Sequence, residues 1–282
     1  LVKRPTWRVV KGRSRAYVEK AVAAIVEGGG RVRCGAAVAS VRRLPRGGVA
    51  VRRKNKLLEE RYDHAVLATH SDAALALLGD DATETERKTI GAIRYGANQV
   101  YVHTDAALMP RLRATWSSWN CIKREGASGA DSVCVSYWAN LLQTVPADAP
   151  DVFVTLNPPA PPAEGTILHH VELSHPLFDA DAIRAQAAVP EIQGVGGVWF
   201  AGAWCGYGFH EDGIRSAVTV VDRLCGSSAS SPTAALVPVT PWSTISCDPR
   251  APLSARAVMG PFERYALSLL SPHSAVRLLL HD

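Results

Sequence analysis

The stretch "FAGAWCGYGFHEDGIRSA", Phe200 to Ala217, runs an apolar segment into a loop of glycines and aromatics, then opens a helix on the acidic pair Glu211 and Asp212. Ile214, Ala217, Val218, Val221 and Leu224 recur at helical spacing, which predicts a helix from about Asp212 to Cys225 with one apolar face on a sheet. Gly197 to Ala201, just ahead, reads as a buried strand. The loop therefore ends at a helix N-terminus, whose unpaired amides favour an anionic group by about 0.3–1 kcal/mol, or about 2 kcal/mol when partly buried. Gly202, Gly206, Gly208 and Gly213 would let backbone approach a flat ligand, with Trp204, Tyr207 and Phe209 as walls. The alternative is a tight strand-to-helix turn with Asp212 as its cap and the aromatics in the core.

Working outward, "HAVLATH", His64 to His70, has the near-continuous apolar character of a strand buried on both faces, and Ser71 or Asp72 caps a helix carrying Leu75, Leu77 and Leu78. Earlier, Ser14 caps a helix with Tyr17, Val18, Ala21, Val22 and Ile25 on one face, stopped by Gly28 to Gly30. Between them Val32, Val38, Val41, Val49 and Val51 sit in short alternating runs broken by "PRGG", Pro45 to Gly48, which reads as a β-hairpin or meander. This order predicts an α/β domain with a β excursion. From about Thr83 a short helix leads to β-like runs at Gln99 to Thr104, Ser132 to Trp138, Val152 to Leu156 and Ile167 to Leu173. A helix over Asp179 to Val189 follows. The chain divides on this reading into 1–77, a lobe over 78–196, a returning strand and helix over 197–226, and a linker and tail over 227–282. That tail holds one amphipathic run, Phe262, Tyr265, Ala266, Leu269 and Leu270.

With 282 residues, 47% of them hydrophobic, the chain can bury a core for one large domain or two smaller ones. A net charge of +5, from 31 basic and 26 acidic residues, is too mild to imply nucleic acid. Cysteines 34, 121, 134, 205, 225 and 247 form no C-x-x-C pair, which suits a reducing, intracellular setting over a secreted disulfide framework. No apolar run reaches the roughly 18 residues of a membrane span. His169, His170 and His175 have only Glu172 at ligand spacing, so a metal site is not expected. Cys205 beside His210 and Glu211 reads as a small buried thiol, and "GASG", Gly126 to Gly129, falls short of a serine-hydrolase elbow. Arg31 to Lys56 holds nine Arg or Lys residues and no acid. A solvated hairpin edge explains it, and docking to anionic phospholipid headgroups is the functional alternative. Trp116, Trp119 and Trp138 either line an apolar channel or pack the core.

"VWFAGAWCGYGFHEDGIRSA" resembles the C-terminal FAD-binding segment of the flavin-containing amine oxidoreductase family, closest to a branch of FAD/NAD(P)-binding proteins found beside cyclopropane-fatty-acid synthases. "WRVVKGRSRAYVEKAV", "YDHAVLATHSDAALALL", "WSSWN", "VSYWANLLQ", "VFVTLNPP" and "HPLFDADAIRAQAAVPEIQG" resemble further family segments in family order, covering about Val2 to Leu224. The resemblance implies an α/β chain: a partial glutathione-reductase-like FAD-binding domain with a β hairpin or meander, plus an α+β substrate lobe. It implies FAD as cofactor. The helix near Asp212 would then point at the N1–C2=O edge of the isoalloxazine. Gly202 would lie by the ribityl-phosphate path and Trp204 and Gly208 by the ring. Phe209, His210, Glu211, Asp212 and Gly213 would meet the ring mainly through backbone, Val38 the adenine, and Ala68 and Thr69 the dinucleotide crossover. Ala217 and Cys205 depart from the commoner Gly and Trp of the family.

The family's N-terminal βαβ unit carries a G-x-G-x-x-G loop that seats the pyrophosphate. This sequence has no such loop: neither "GGGRVRCG" nor "GVGGVWFAG" has the spacing in a strand–turn–helix setting. The expectation is therefore an FAD-dependent oxidoreductase on an incomplete chain, removing a hydride from an amine or from a modified or unsaturated acyl lipid. No catalytic residue is assigned, and His210 is the first to test. The reading from another class is an inactive remnant acting as a membrane-associated or partner-binding module through its basic hairpin.

Overall fold

The computed structural model describes residues 10–124, 132–143, 145–146 and 148–226. The expected linker and tail over 227–282, the "GASG" segment and the first nine residues lie outside these. In chain order the elements are α1 (Arg13–Glu27), β1 (Val38–Arg43), β2 (Val49–Arg53), β3 (Glu59–Tyr62), β4 (Ala65–Leu67), α2 (Ser71–Leu78), α3 (Glu84–Ile90) and β5 (Tyr95–His103). They continue with β6 (Trp119–Arg124), β7 (Ser132–Trp138), α4 (Ala139–Leu142), β8 (Phe153–Leu156), β9 (Ile167–Pro176), α5 (Ala180–Ile192), β10 (Val198–Phe200) and α6 (His210–Leu224). Helices and strands are mixed along the described residues, in an α/β arrangement.

Three sheets form. β1, β2 and β3 make an antiparallel meander, and its first turn needs glycine: Gly47 and Gly48 sit at φ 89° and 80° while Leu44 and Gly48 close the turn, Leu44 N–H donating to Gly48 O at 2.9 Å. β4 and β10 pair in parallel, Ala65 beside Val198 and Leu67 beside Phe200; β10 is buried throughout, as its apolar run predicts, while Val66 of β4 is exposed, against the expectation of a strand buried on both faces. The third sheet has order β6-β7-β8-β5-β9, all neighbours antiparallel. β10's other edge is closed by a side chain: Gln193 donates through Nε2 to Phe200 O at 2.7 Å and accepts from Phe200 N–H at 2.8 Å, imitating a strand neighbour.

One core gathers Val41, Val49, Leu67, Val198, Phe200 and Trp204 with Ile90, Ala182, Val189 and Ile192, so α3 and α5 give their buried faces to the layer that holds β4 and β10. A second core, with Val100, Val135, Tyr137 and Val154, belongs to the five-stranded sheet. In that sheet a buried polar chain is fully committed. Asp105 N–H can only donate, so His103 Nδ1 accepts it (3.1 Å) and Nε2–H donates to Thr155 Oγ1 (2.7 Å). Thr155 then bonds Ser136 Oγ at 2.8 Å, and Ser136 donates to Leu108 O at 3.0 Å. Desolvation holds the His103 imidazole below its ordinary pKa. None of the described helices is long and apolar enough to cross a membrane.

Several local expectations change. α1 begins on Gly12, in the left-handed region at φ 85°, and Ser14 lies inside the first turn rather than capping it. Val18 is its one buried residue, while Tyr17, Ile25 and Val26 stay exposed, so the apolar stripe has little covering it among the described residues. α6 starts at His210, two residues before the expected Asp212. It seats Ala217, Val220 and Leu224 against Trp199 and Ala201, leaving Ile214 and Val221 exposed. The basic hairpin is less positive than its sequence suggests: β3 brings Glu59 and Glu60 alongside, and Arg33, Arg42 and Arg53 pair with them. Arg43 turns the other way, to Asp81 and the fully buried Glu86.

Candidate functional site

Parallel strands end with their carboxyl termini on one side, where open α/β sheets place ligands. Here those ends are Ala68 and Thr69 after β4 and Ala201 and Gly202 after β10, joined by Ala201 N–H to Leu67 O at 3.1 Å. Trp204 fixes the junction: its indole N–H donates to Thr69 O at 2.9 Å, and its ring is only 2% exposed. Any contact Trp204 makes with a cofactor is therefore through backbone, because its ring belongs to the core and is not a wall. Gly202 is required by the same packing, since a Cβ there would lie 2.5 Å from Trp204 Nε1. Tyr207 is 38% exposed and stands 6.1 Å from the Phe178 ring, centre to centre, with Gly208 at φ 88° beside Phe178. His210 and Glu211 are exposed at the first turn of α6.

Asp212 is the hinge of the loop. Its carboxylate, 6% exposed, accepts the N–H of Tyr207 (3.1 Å) and of Phe209 (3.0 Å), so it caps the turn ahead of α6. Gly206 leaves it room, since a Cβ there would lie 2.4 Å from Asp212 Oδ1. Ser216 ties the other side, bonding Gly202 N–H at 2.9 Å and Gly213 O at 2.7 Å, and Gln186 of α5 donates to Trp204 O and Gly206 O. The turn is thus held by its own side chains, as the reading of Asp212 as a cap expects. A cavity of about 170 Å³ lies behind it, between α5 and α6, bordered by Gln186, Cys205, Asp212, Arg215 and Arg223. That volume is below the roughly 300 Å³ at which ligand pockets begin, so it does not house a flavin ring. Burial pushes the Cys205 thiol up to about 12, which removes it as a nucleophile.

The structure brings a second group to the same strand ends that no local pattern announced. Tyr95, the first residue of β5, accepts Ser71 N–H through its hydroxyl at 2.8 Å and bonds Ser71 Oγ at 3.1 Å, while its ring stacks on His70 at 4.7 Å. Burial raises the phenol to about 12. His175 of β9 pairs in register with Gly96. Asn98 Oδ1 accepts from Asn157 and Asn98 Nδ2 donates to Gly96 O, which fixes the Asn98 amide. Its Nδ2 therefore also donates to His175 Nδ1, at 2.8 Å, placing the proton of the neutral ring on Nε2. Burial first, then the nearby His70, lowers His175 to about 4. Three elements far apart in sequence supply this group, and no pattern local to any of them points to the others.

The remaining expected residues scatter. Val38 lies at the start of β1, partly buried against the first core. His169 and His170 lie on β9, where His170 stacks on Tyr101 at 4.2 Å and bonds Gln99. Trp116 and Trp138 meet edge to face at 5.4 Å, with Arg113 over the Trp116 ring, and Trp119 is 41% exposed. Against the chemistry of FAD, the described residues fit one end only. Backbone amides at the α6 tip suit the ring, and the end of β4 suits the dinucleotide crossover, but among the described residues no glycine-rich strand–turn–helix cradles a pyrophosphate.

No protein-family model matches the chain, and no curated protein matches it. Among solved structures, a CLA-producing fatty acid isomerase from P. acnes is similar at 16% identity and a TM-score of 0.44, over 67% of this chain and 47% of its own. Cyclohexylamine oxidase from Brevibacterium oxydans IH-35A is similar at 14% identity and a TM-score of 0.43, over 66% and 48%. A putrescine oxidase redesigned in cofactor binding is similar at 13% and 0.43, over 68% and 49%. The chain spans about half the length of these proteins. Likenesses this distant leave the chemistry of the site to the residues themselves.

Proposed function

We propose that the chain carries the isoalloxazine side of an FAD-dependent oxidoreductase of the amine-oxidase type. Its finer assignment is a glutathione-reductase-like FAD domain of the branch found beside cyclopropane-fatty-acid synthases. One observation carries the reading. The segment that resembles the family's flavin loop, Phe200 to Ala217, lies at the carboxyl end of a parallel strand and directly beside Ala68 and Thr69, the residues that the same resemblance gives to the dinucleotide crossover. The pyrophosphate grip would come from a G-x-G-x-x-G unit that this sequence does not contain.

Bound there, FAD would supply hydride acceptance from an amine or from a modified or unsaturated acyl lipid. Gly202, Gly208 and the backbone of Phe209, His210, Glu211, Asp212 and Gly213 would orient the ring, with the amide dipoles of α6 toward its electron-rich edge. Trp204, packed beneath the loop with its indole on Thr69 O, would hold that backbone in place. Tyr95 and His175 are both neutral at pH 7, holding protons at the phenol and at Nε2. Neither adds charge beside the strand ends. The test is a protein in which a G-x-G-x-x-G βαβ unit is joined ahead of Leu1, challenged anaerobically with amines and unsaturated fatty acids. Bleaching of bound flavin by one class supports the proposal. A folded, flavin-loaded protein that no substrate bleaches removes the oxidoreductase activity from it.

A further inference from the structure

The turn joining β2 to β3 is hydrogen-bonded at its base and apolar at its tip. Lys54 N–H donates to Ala37 O at 2.8 Å and Lys56 N–H to Arg53 O at 3.1 Å ahead of the tip, and Glu59, in register with Arg52, anchors the chain after it. Leu57 and Leu58 are 98% and 84% exposed, more than any other large apolar side chain among the described residues. A single exposed leucine is ordinary, but two adjacent ones on an ordered turn are an unfavourable arrangement in water alone.

Charge surrounds this tip on one face of the meander. Lys54 and Lys56 are exposed in the turn itself. Arg52 pairs in register with Glu59, and Arg42 and Arg61 both pair with Ala50, so the three arginines and Glu59 share the outward face. Five cations therefore surround one carboxylate. The hydrogen bond from Arg42 holds Glu59 below its usual pKa range, so it stays ionised and offsets one of the five. Glu60 points to the opposite face and is committed to Arg33 and Arg53.

We propose that this turn is a membrane-docking tip, in which Leu57 and Leu58 enter the headgroup–acyl boundary of a bilayer containing anionic phospholipid while Arg52, Lys54, Lys56 and Arg61 meet its phosphates. Apolar tip and cationic collar together match a bilayer surface, which is oily beneath and negative above. A soluble polyanion has no use for the leucines. A protein partner of standard size would need about 800 Å² of surface per side, far more than two leucines offer. The tip acts without flavin, and it is independent of the site at the ends of β4 and β10.

The full chain is sedimented with vesicles of phosphatidylcholine alone, and with vesicles holding about 30% phosphatidylglycerol, at low and raised salt. Binding is expected only to the anionic vesicles. Leu57→Ser/Leu58→Ser and Lys54→Glu/Lys56→Glu should each weaken it about tenfold or more, with unchanged circular dichroism, and salt should weaken the wild type. Wild-type protein that does not pellet with anionic vesicles overturns the proposal. So does a leucine variant that binds like wild type, which would assign the charge to a soluble polyanion. A leucine variant that changes the sedimenting mass without vesicles would assign the turn to a contact between copies, with the same consequence.

Discussion

Replacing Arg43 should cost more stability than any surface change of similar size. Its guanidinium bonds Glu86, Asp81 Oδ2 (3.1 Å), Asp81 O (2.8 Å) and Val195 O (3.0 Å), and Glu86 is 0% exposed. Glu86 also accepts Thr83 N–H at 2.8 Å as the reciprocal half of the α3 capping box. Arg43→Met removes the positive partner and leaves a buried carboxylate with that one donor, a situation worth about 3–5 kcal/mol. The lost bond to Val195 O adds about 1 kcal/mol and loosens β1 from the turn that precedes β10. Against a typical total of about 5–15 kcal/mol, this is a large share. Urea unfolding followed by circular dichroism at pH 7 measures it. Arg43→Met with Glu86→Gln should recover much of the loss, because the neutral amide can still accept from Thr83. A loss below about 1 kcal/mol for Arg43→Met alone would refute the claim that Glu86 is buried as a charge needing this partner.

Two glycines of the flavin-like loop should answer differently to alanine. Gly206→Ala puts a Cβ 2.4 Å from Asp212 Oδ1, so it should unseat the cap and lower the urea midpoint. Gly213→Ala meets nothing closer than Ala203 N at 3.7 Å and lies inside α6, so it should raise stability by about 0.5–1 kcal/mol. In the flavin-loaded protein the same Gly213→Ala should weaken FAD, since the ring would need that backbone. His175 is held near 4, against about 6.5 unfolded, so the unfolded chain takes its proton first. That contribution is fully present above pH 6.5 and lost as pH falls toward 4, by up to about 3 kcal/mol, and His175→Gln should flatten the slope over this window.

Periodicity carried much of the fold. The apolar runs of "HAVLATH" and "GVWFAG" marked β4 and β10, and β10 is buried throughout as its run predicts, whereas Val66 of β4 stays 45% exposed, so that strand is covered on one face only among the described residues. Asp179 marked the start of α5, where its Oδ1 accepts Ala182 N–H at 2.8 Å. Ser132–Trp138 was legible as a strand to the residue. What failed depended on neighbours remote in sequence. Nine basic residues read as a positive face until register placed Glu59 and Glu60 across from Arg52 and Val51. The stripe on α1 gave the helix but not its covering. In α6 the buried face turned out to be set by Val220 against Trp199, not by Ile214. The loop from Gly202 to Gly213 was visible as a strand-to-helix turn with Asp212 as one reading of its cap, while the two amides it takes, those of Tyr207 and Phe209, are set by side-chain geometry that spacing does not carry. Tyr95, His70 and His175 converge from three elements, and nothing local to any one of them announces the others.

Amide hydrogen exchange with and without FAD, on the protein carrying the joined βαβ unit, tests the central claim most directly. Slowed exchange in two separate segments, 68–71 and 202–213, with the β1–β3 meander tip at 54–58 unchanged, is the predicted result. FAD bound at full occupancy with no protection at 202–213 would contradict it, because the α6 tip would then not face the cofactor.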